Sequence, residues 1–168
     1  AFGDWQDYTL ILRDGDTWGC KHVAWMVEDE GDLEEFEQRI EDSGYDTEWV
    51  ESDAEPGQGR ALKFDYPGAT PEYMELVYDI DRAFDTVAEE NKPRLKNQPT
   101  RKPERGAGFR RIDHVNFNVS NVPECVDWFE DVLGFKLREE GLDPDDNQVG
   151  AWMSVSPLVH EIAFITPP

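Results

Sequence analysis

The sequence predicts an α+β fold of paired βαβββ modules, and three observations carry that expectation. Short runs alternate polar and apolar residues, as half-buried strands do. One helical apolar pattern follows the opening strand of each run series. The whole order then recurs after a basic, proline-containing stretch, with His22 and His114 at the same place in the two copies, 92 positions apart.

The first copy opens on the strand His22-Val23-Ala24-Trp25-Met26-Val27. A helix is expected over Asp32–Ser43, with Leu33, Phe36 and Ile40 at helical spacing, Asp32 as its N-cap and Gly44 as its stop. Strands are expected at Thr47–Glu51, Arg60–Asp65 and Glu72–Ile80, with Pro56-Gly57 and Pro67-Gly68 marking the turns between them. The second copy repeats this plan. Its strand is His114–Val119 and its helix Val122–Leu133, with Val126, Phe129 and Leu133 on one face. Gly134-Phe135 answers Gly44-Tyr45, and strands follow at Lys136–Glu140, Val149–Val155 and His160–Thr166. One βαβββ unit has a single sheet face to cover, so two units pairing into a shared cleft is the natural solution.

The stretch Asn91–Arg111 holds eight of the 16 basic residues against one acid, Glu104, together with Pro93, Pro99 and Pro103. Proline disfavours helix and strand interiors, so residues 81–111 read as a linker lying along an acidic surface. The rest of the chain is strongly acidic. Its 38 carboxylates against 16 cations give a net charge of -22, and only six of the cations are lysines. Dispersed like charge weakens a compact state in dilute buffer and is screened in molar salt, so the composition points to a halophile. It argues against nucleic acid as a partner, since no large basic face is present. No apolar run reaches spanning length and no signal peptide is visible, so no membrane association is expected. Cys20 and Cys125 are too few for a disulfide framework, and the cytoplasm is the expected location.

Two histidines carry the chemistry. His114 lies in Arg111-Ile112-Asp113-His114-Val115-Asn116-Phe117, and His160 in the run Trp152–Phe164, 46 positions on. A strand histidine can project into a cleft while its neighbours pack the core. Imidazole is also the commonest metal ligand and the side chain suited to proton transfer near neutral pH. A strand histidine taken singly is more often structural; the pair in one module makes the functional reading the stronger one.

The closing run Ala151–Ile165, with Trp-Met-Ser-Val-Ser and Val-His-Glu-Ile-Ala-Phe-Ile, resembles that of the two-domain extradiol dioxygenases of the vicinal oxygen chelate superfamily, especially catechol 2,3-dioxygenases. Those proteins contain four βαβββ modules. The resemblance implies that residues 1–80 hold the end of an N-terminal domain, with Asp4–Leu12 as the closing strand of module one and 22–80 as module two. Residues 112–168 then form module three, the first of the catalytic domain, with module four absent. It further implies Fe(II), or alternatively Mn(II), as cofactor, with a catechol-type diol and O2 as substrates in a homo-oligomer. His114 matches the first metal ligand and His160 a proton-transfer histidine that is not a ligand. The second His ligand, the Glu ligand and a substrate-contacting Tyr belong to module four, so the chain is expected to be a fragment inactive alone.

Two alternatives stand beside this. His22 and Glu75 occupy, in module two, the frames where module four would supply ligands, and with His114 they would complete a two-His, one-Glu set. An exposed strand acid is the simpler account of Glu75. The other alternative is a metal-free or metal-dependent ligand-binding protein on the same fold, which fold alone does not exclude.

Overall fold

The computed structural model describes residues 10–81 and 112–167. In chain order its elements are β1 (His22–Met26), α1 (Asp32–Asp42), β2 (Thr47–Val50), β3 (Ala61–Phe64) and β4 (Tyr73–Val77), then β5 (Val115–Asn118), α2 (Val122–Asp131), β6 (Lys136–Leu142), β7 (Gln148–Ser154) and β8 (Ile162–Ile165). They form two four-stranded sheets of identical topology, β1-β4-β3-β2 and β5-β8-β7-β6. In each sheet the first strand runs parallel to the last, and the remaining pairs are antiparallel. Parallel neighbours need a long crossover, and each module supplies it with its helix and two intervening strands. The α+β fold of paired βαβββ modules is therefore present.

The helix ends follow from local chemistry. Asn121 caps α2, accepting from Glu124 N at 3.3 Å and donating its amide to Glu124 Oε2 at 3.0 Å. This reciprocal arrangement satisfies a first-turn N–H that the helix itself leaves free. In α1 the cap position falls on Gly31, without a side-chain cap hydrogen bond, rather than on Asp32. Asp32 is instead the first helical residue, and its carboxylate accepts from Asp29 N at 2.9 Å. Gly44 (φ 90°) and Gly134 (φ 75°) stop the two helices in left-handed backbone that glycine adopts without strain.

Several strand edges differ from the sequence expectation, and two of the differences matter. β5 starts at Val115 and β8 at Ile162, so His114 and His160 both lie just outside their strands. Of the expected strand Asp4–Leu12, residues 4–9 lie outside the described residues, and Leu10–Leu12 belong to none of the eight strands. The segment behind them is tied down by an ion pair between Arg13 and Glu55. The expected linker, apart from Asp81, also lies outside the described residues.

Strand alternation sends one set of side chains to each face. From the first sheet, Trp49, Leu62, Phe64, Met74 and Leu76 join one cluster with Leu33 and Ile40 of α1. Phe117, Ala151, Met153, Ile162 and Phe164 of the second sheet join the same cluster with Val122, Val126 and Phe129 of α2. Aromatic contacts cross between modules: Trp25 meets Phe135 edge-on at 5.4 Å, Phe64 stacks on Trp128 at 6.1 Å, and Tyr66 meets Phe129 at 6.3 Å. Arg39 of α1 also donates to the Asp131 carbonyl near the end of α2, at 3.1 Å. The modules therefore share a core where a shared cleft was expected. Each helix packs its apolar face on its own sheet, α1 on β2 and β3 and α2 on β6, β7 and β8. The modules meet through the aromatic contacts above.

Candidate functional site

The faces turned away from that core carry the polar residues. On module two this face holds His22 from β1 and Glu75 from β4. Glu75 is only 4% exposed. A carboxylate so buried is costly unless hydrogen-bonded, and Gln58 supplies a donor at 3.1 Å. His22 Nε2 stands 3.7 Å from Glu75 Oε2, and the Tyr73 ring stacks on the imidazole at 5.2 Å, nearly parallel at 12°. Burial of Tyr73 first, and the neighbouring Glu75 second, push its phenol above the usual range. The Lys63 ammonium sits 4.8 Å above the same ring and pairs with Glu48 at 2.7 Å. The histidine of module two is thus enclosed by its own neighbours.

Module three differs at the matching positions. His22 aligns with Tyr73 across the parallel pair, and Ala24 with Glu75. In the second sheet Val115 aligns with Ile162 and Asn116 with Ala163, which places Glu161 where Tyr73 stood and Ala163 where Glu75 stood. No ring covers His114 from β8, and no acid lies beneath it from Ala163. What approaches His114 is His160, with ring centroids 4.6 Å apart at an interplanar angle of 62°.

His114 Nδ1 lies 3.0 Å from Asp113 Oδ2. Within a regular strand, neighbours i and i−1 point to opposite faces, and such a contact is excluded. It forms here because β5 begins one residue later. With Nδ1–H donating to it, the Asp113 carboxylate fixes the ring and leaves the lone pair on Nε2, the arrangement in which metal-binding histidines are commonly held. His160 Nδ1 is buried and has no hydrogen-bond partner among the described residues, as is also true of His22 Nδ1.

The sequence-predicted residues therefore come together as two separate pairs, His114 with His160 and His22 with Glu75. Among the described residues no three His, Cys, Asp or Glu side chains form a group able to hold a metal ion. His114 suits a metal ligand by its carboxylate-oriented ring, but further ligands would have to join it. Two shallow depressions lie against α2 and the β6–β7 turn, and neither is lined by His114 or His160. Sequence reasoning missed Asp113, whose only signal was its place beside His114 at a strand start, and Glu161, which looked like one acid among many. No helix among the described residues is long and apolar enough to cross a membrane.

Two repeated βαβββ units, with a histidine pair displayed on the open face of the second, define a vicinal oxygen chelate protein. Residues 20–77 match the catechol 2,3-dioxygenase-like N-terminal domain, and residues 111–168 match the glyoxalase/bleomycin resistance protein/dioxygenase superfamily. The two matches together assign both described parts of the chain to this superfamily.

Among curated relatives, a manganese-dependent 2,3-dihydroxybiphenyl 1,2-dioxygenase of Geobacillus genomosp. 3 is 38% identical over the whole chain and 52% of its own length. A metapyrocatechase of Geobacillus stearothermophilus is 34% identical over the whole chain and 49% of its own length. The chain thus spans about half the length of the curated relatives it matches. Among solved structures, the 2,3-dioxygenase LapB from Pseudomonas sp. KL28 superposes with a TM-score of 0.84 at 27% identity, over 99% of this chain and 56% of that one. A homoprotocatechuate 2,3-dioxygenase variant from Brevibacterium fuscum, at 22% identity and a TM-score of 0.75 over 99% of this chain and 42% of its own, shares the fold.

Proposed function

We propose that the full-length gene product is an extradiol ring-cleaving dioxygenase acting on catechol-type aromatics with O2 at a non-haem Fe(II), or alternatively Mn(II), centre. The observation that carries this reading is the His114–His160 pair, left open on the face where module two has closed its own histidine. His114 Nε2 would be one metal ligand, with Asp113 holding the ring through Nδ1. When bound, the metal supplies Lewis acidity to the two ring oxygens of a diol and lowers the cost of their deprotonation. His160 would take up and return a proton at its imidazole, whose Nδ1 no described residue occupies. Ala163 stands in module three at the place that Glu75 occupies in module two, so no carboxylate comes from that position.

The acidic excess of 38 carboxylates over 16 cations supports placing the enzyme in the cytoplasm of a salt-accumulating organism. We further propose that it works as a homo-oligomer. The test is metal quantification on the purified full-length product. It is expected to retain close to one Fe or Mn per chain, with His114→Ala losing that metal and ring cleavage together. Unchanged metal content in the variant would reject His114 as a ligand. A metal-free wild type that still binds aromatic ligands would favour a binding protein on the same fold.

A further inference from the structure

We propose that Glu161 is the positioning residue of His160: its carboxylate folds the β7–β8 loop into the one shape that presents the His160 ring to His114. This rests on the reading of His160 as the proton-transfer group. Three donors of the loop converge on that carboxylate. Val155 N reaches Oε2 at 2.8 Å, Ser156 N reaches Oε2 at 3.3 Å, and Ser156 Oγ donates to Oε1 at 2.6 Å. The Ser156 hydroxyl in turn accepts from Leu158 N at 3.2 Å, so the turn behind it is also held. Hydrogen bonds to an ionised acceptor are shorter and stronger than neutral ones, and three on one carboxylate satisfy most of its lone pairs.

The backbone of Glu161 completes the arrangement. Its N–H donates to Met153 O at 2.9 Å, and its carbonyl accepts from Val115 N at 3.0 Å. One residue therefore ties β7, β5 and the loop together. His160 immediately precedes it, and His114 immediately precedes the Val115 that it holds. The separation of the two rings is set across a single backbone hydrogen bond.

Among the described residues nothing apolar substitutes for this clamp. Val155, Leu158 and Val159 are 56%, 43% and 69% exposed, so the loop is not held by burying its own side chains. Module two shows the other solution in its β3–β4 loop, where Tyr66 is buried and its hydroxyl donates to Pro71 O at 3.2 Å. On the far side of the module-three loop, Arg138 Nε donates to Ser154 Oγ at 2.7 Å, and Ser154 Oγ to Ser156 O at 3.3 Å. These contacts brace Ser156 but do not reach the His160 end.

The experiment compares Glu161→Ala, Glu161→Gln and Ser156→Ala with His160→Ala in the full-length protein loaded with Fe(II) or Mn(II). Two readouts are independent of turnover: hydrogen exchange at the Val155 and Ser156 amides, and the His160 imidazole NMR signal of the metal-free protein, assigned by its loss in His160→Gln. Glu161→Ala is expected to speed exchange at both amides and to shift or broaden the imidazole signal. It should also lower kcat about 100-fold with KM and metal content unchanged, the scale of a catalytic group displaced by roughly 1 Å. Glu161→Gln, which keeps the length and one acceptor oxygen, should recover kcat to within about tenfold of wild type, and Ser156→Ala should fall between. An imidazole signal and exchange rates that do not move in Glu161→Ala would overturn the proposal, as would wild-type kcat in that variant when His160→Ala is impaired. Full turnover in His160→Ala would instead sink the role assigned to His160, while the exchange and imidazole readouts still decide whether Glu161 sets the ring's position.

Discussion

Trp128 of α2 donates its indole N–H to Ser43 Oγ at 2.9 Å, although 85 residues separate them in sequence. Ser43 passes the bond on to the Ile40 carbonyl at 2.6 Å, which at the end of α1 also accepts from Ser43 N at 3.1 Å and Tyr45 N at 3.3 Å. The Tyr45 ring closes over the same indole edge-on at 5.5 Å. The junction between modules is therefore both apolar and directional.

Trp128→Phe removes the donor and keeps most of the packing, so it should cost about 1 kcal/mol, and Ser43→Ala about the same. The double variant should cost less than the sum, since both delete one bond. Trp128→Ala, which also opens a cavity in the shared core, should cost about 3–5 kcal/mol. Thermal or urea unfolding measures all four, and strict additivity would show that the hydrogen bond contributes nothing.

Salt should govern stability. At a net charge of -22, raising KCl from dilute buffer to about 1 M shortens the screening length to about 3 Å and should raise the melting temperature steeply. A melting temperature independent of KCl would contradict the halophilic reading.

The buried Cys125 thiol makes a prediction at alkaline pH. Burial first, and the charge of Glu124 second, push it from its ordinary 9.0 up to about 11. The unfolded chain loses that proton first, so stability is full below pH 9 and falls as pH rises toward 11. Cys125→Ala should flatten that part of the stability profile. In the native protein near pH 8, alkylation followed by mass spectrometry should leave Cys125 unmodified while exposed Cys20 reacts.

Glu75 decides between the two ligand sets. If it and His22 form an internal pair, Glu75→Gln should leave metal content unchanged and lower thermal stability, because His22 and Gln58 lose their ionised partner. Loss of metal in step with the substitution would restore the alternative in which His22, Glu75 and His114 share an ion.

His160→Ala separates a proton-transfer group from a ligand. Metal occupancy should stay near wild type while turnover falls by roughly two to four orders of magnitude. Metal loss in proportion to activity loss would make His160 a ligand.

The two modules were legible because strand alternation and helical spacing are local signals, and β2, β3 and β7 fall within a residue of where the alternation placed them. Periodicity says which face is apolar but not what covers it, so the packing of Trp25 on Phe135 and of Phe64 on Trp128 was not visible. His114 and His160 were found by residue type. Their partners Asp113 and Glu161 were not, because one depends on a strand starting late and the other on a loop folding back. In a chain with 38 acids, neither carboxylate stands out by composition.

The face rule in β5 also limits how this site can change. Val115 and Phe117 point into the common core while Asn116 and Asn118 point out beside His114. Inserting or deleting one residue would exchange the two sets, burying asparagines and exposing a phenylalanine. Such a lineage can retune the histidine face only one substitution at a time, whereas loops such as Asp143–Asn147 are free to lengthen. Variation in length among descendants of this chain should gather in the turns and leave β5 and β8 untouched.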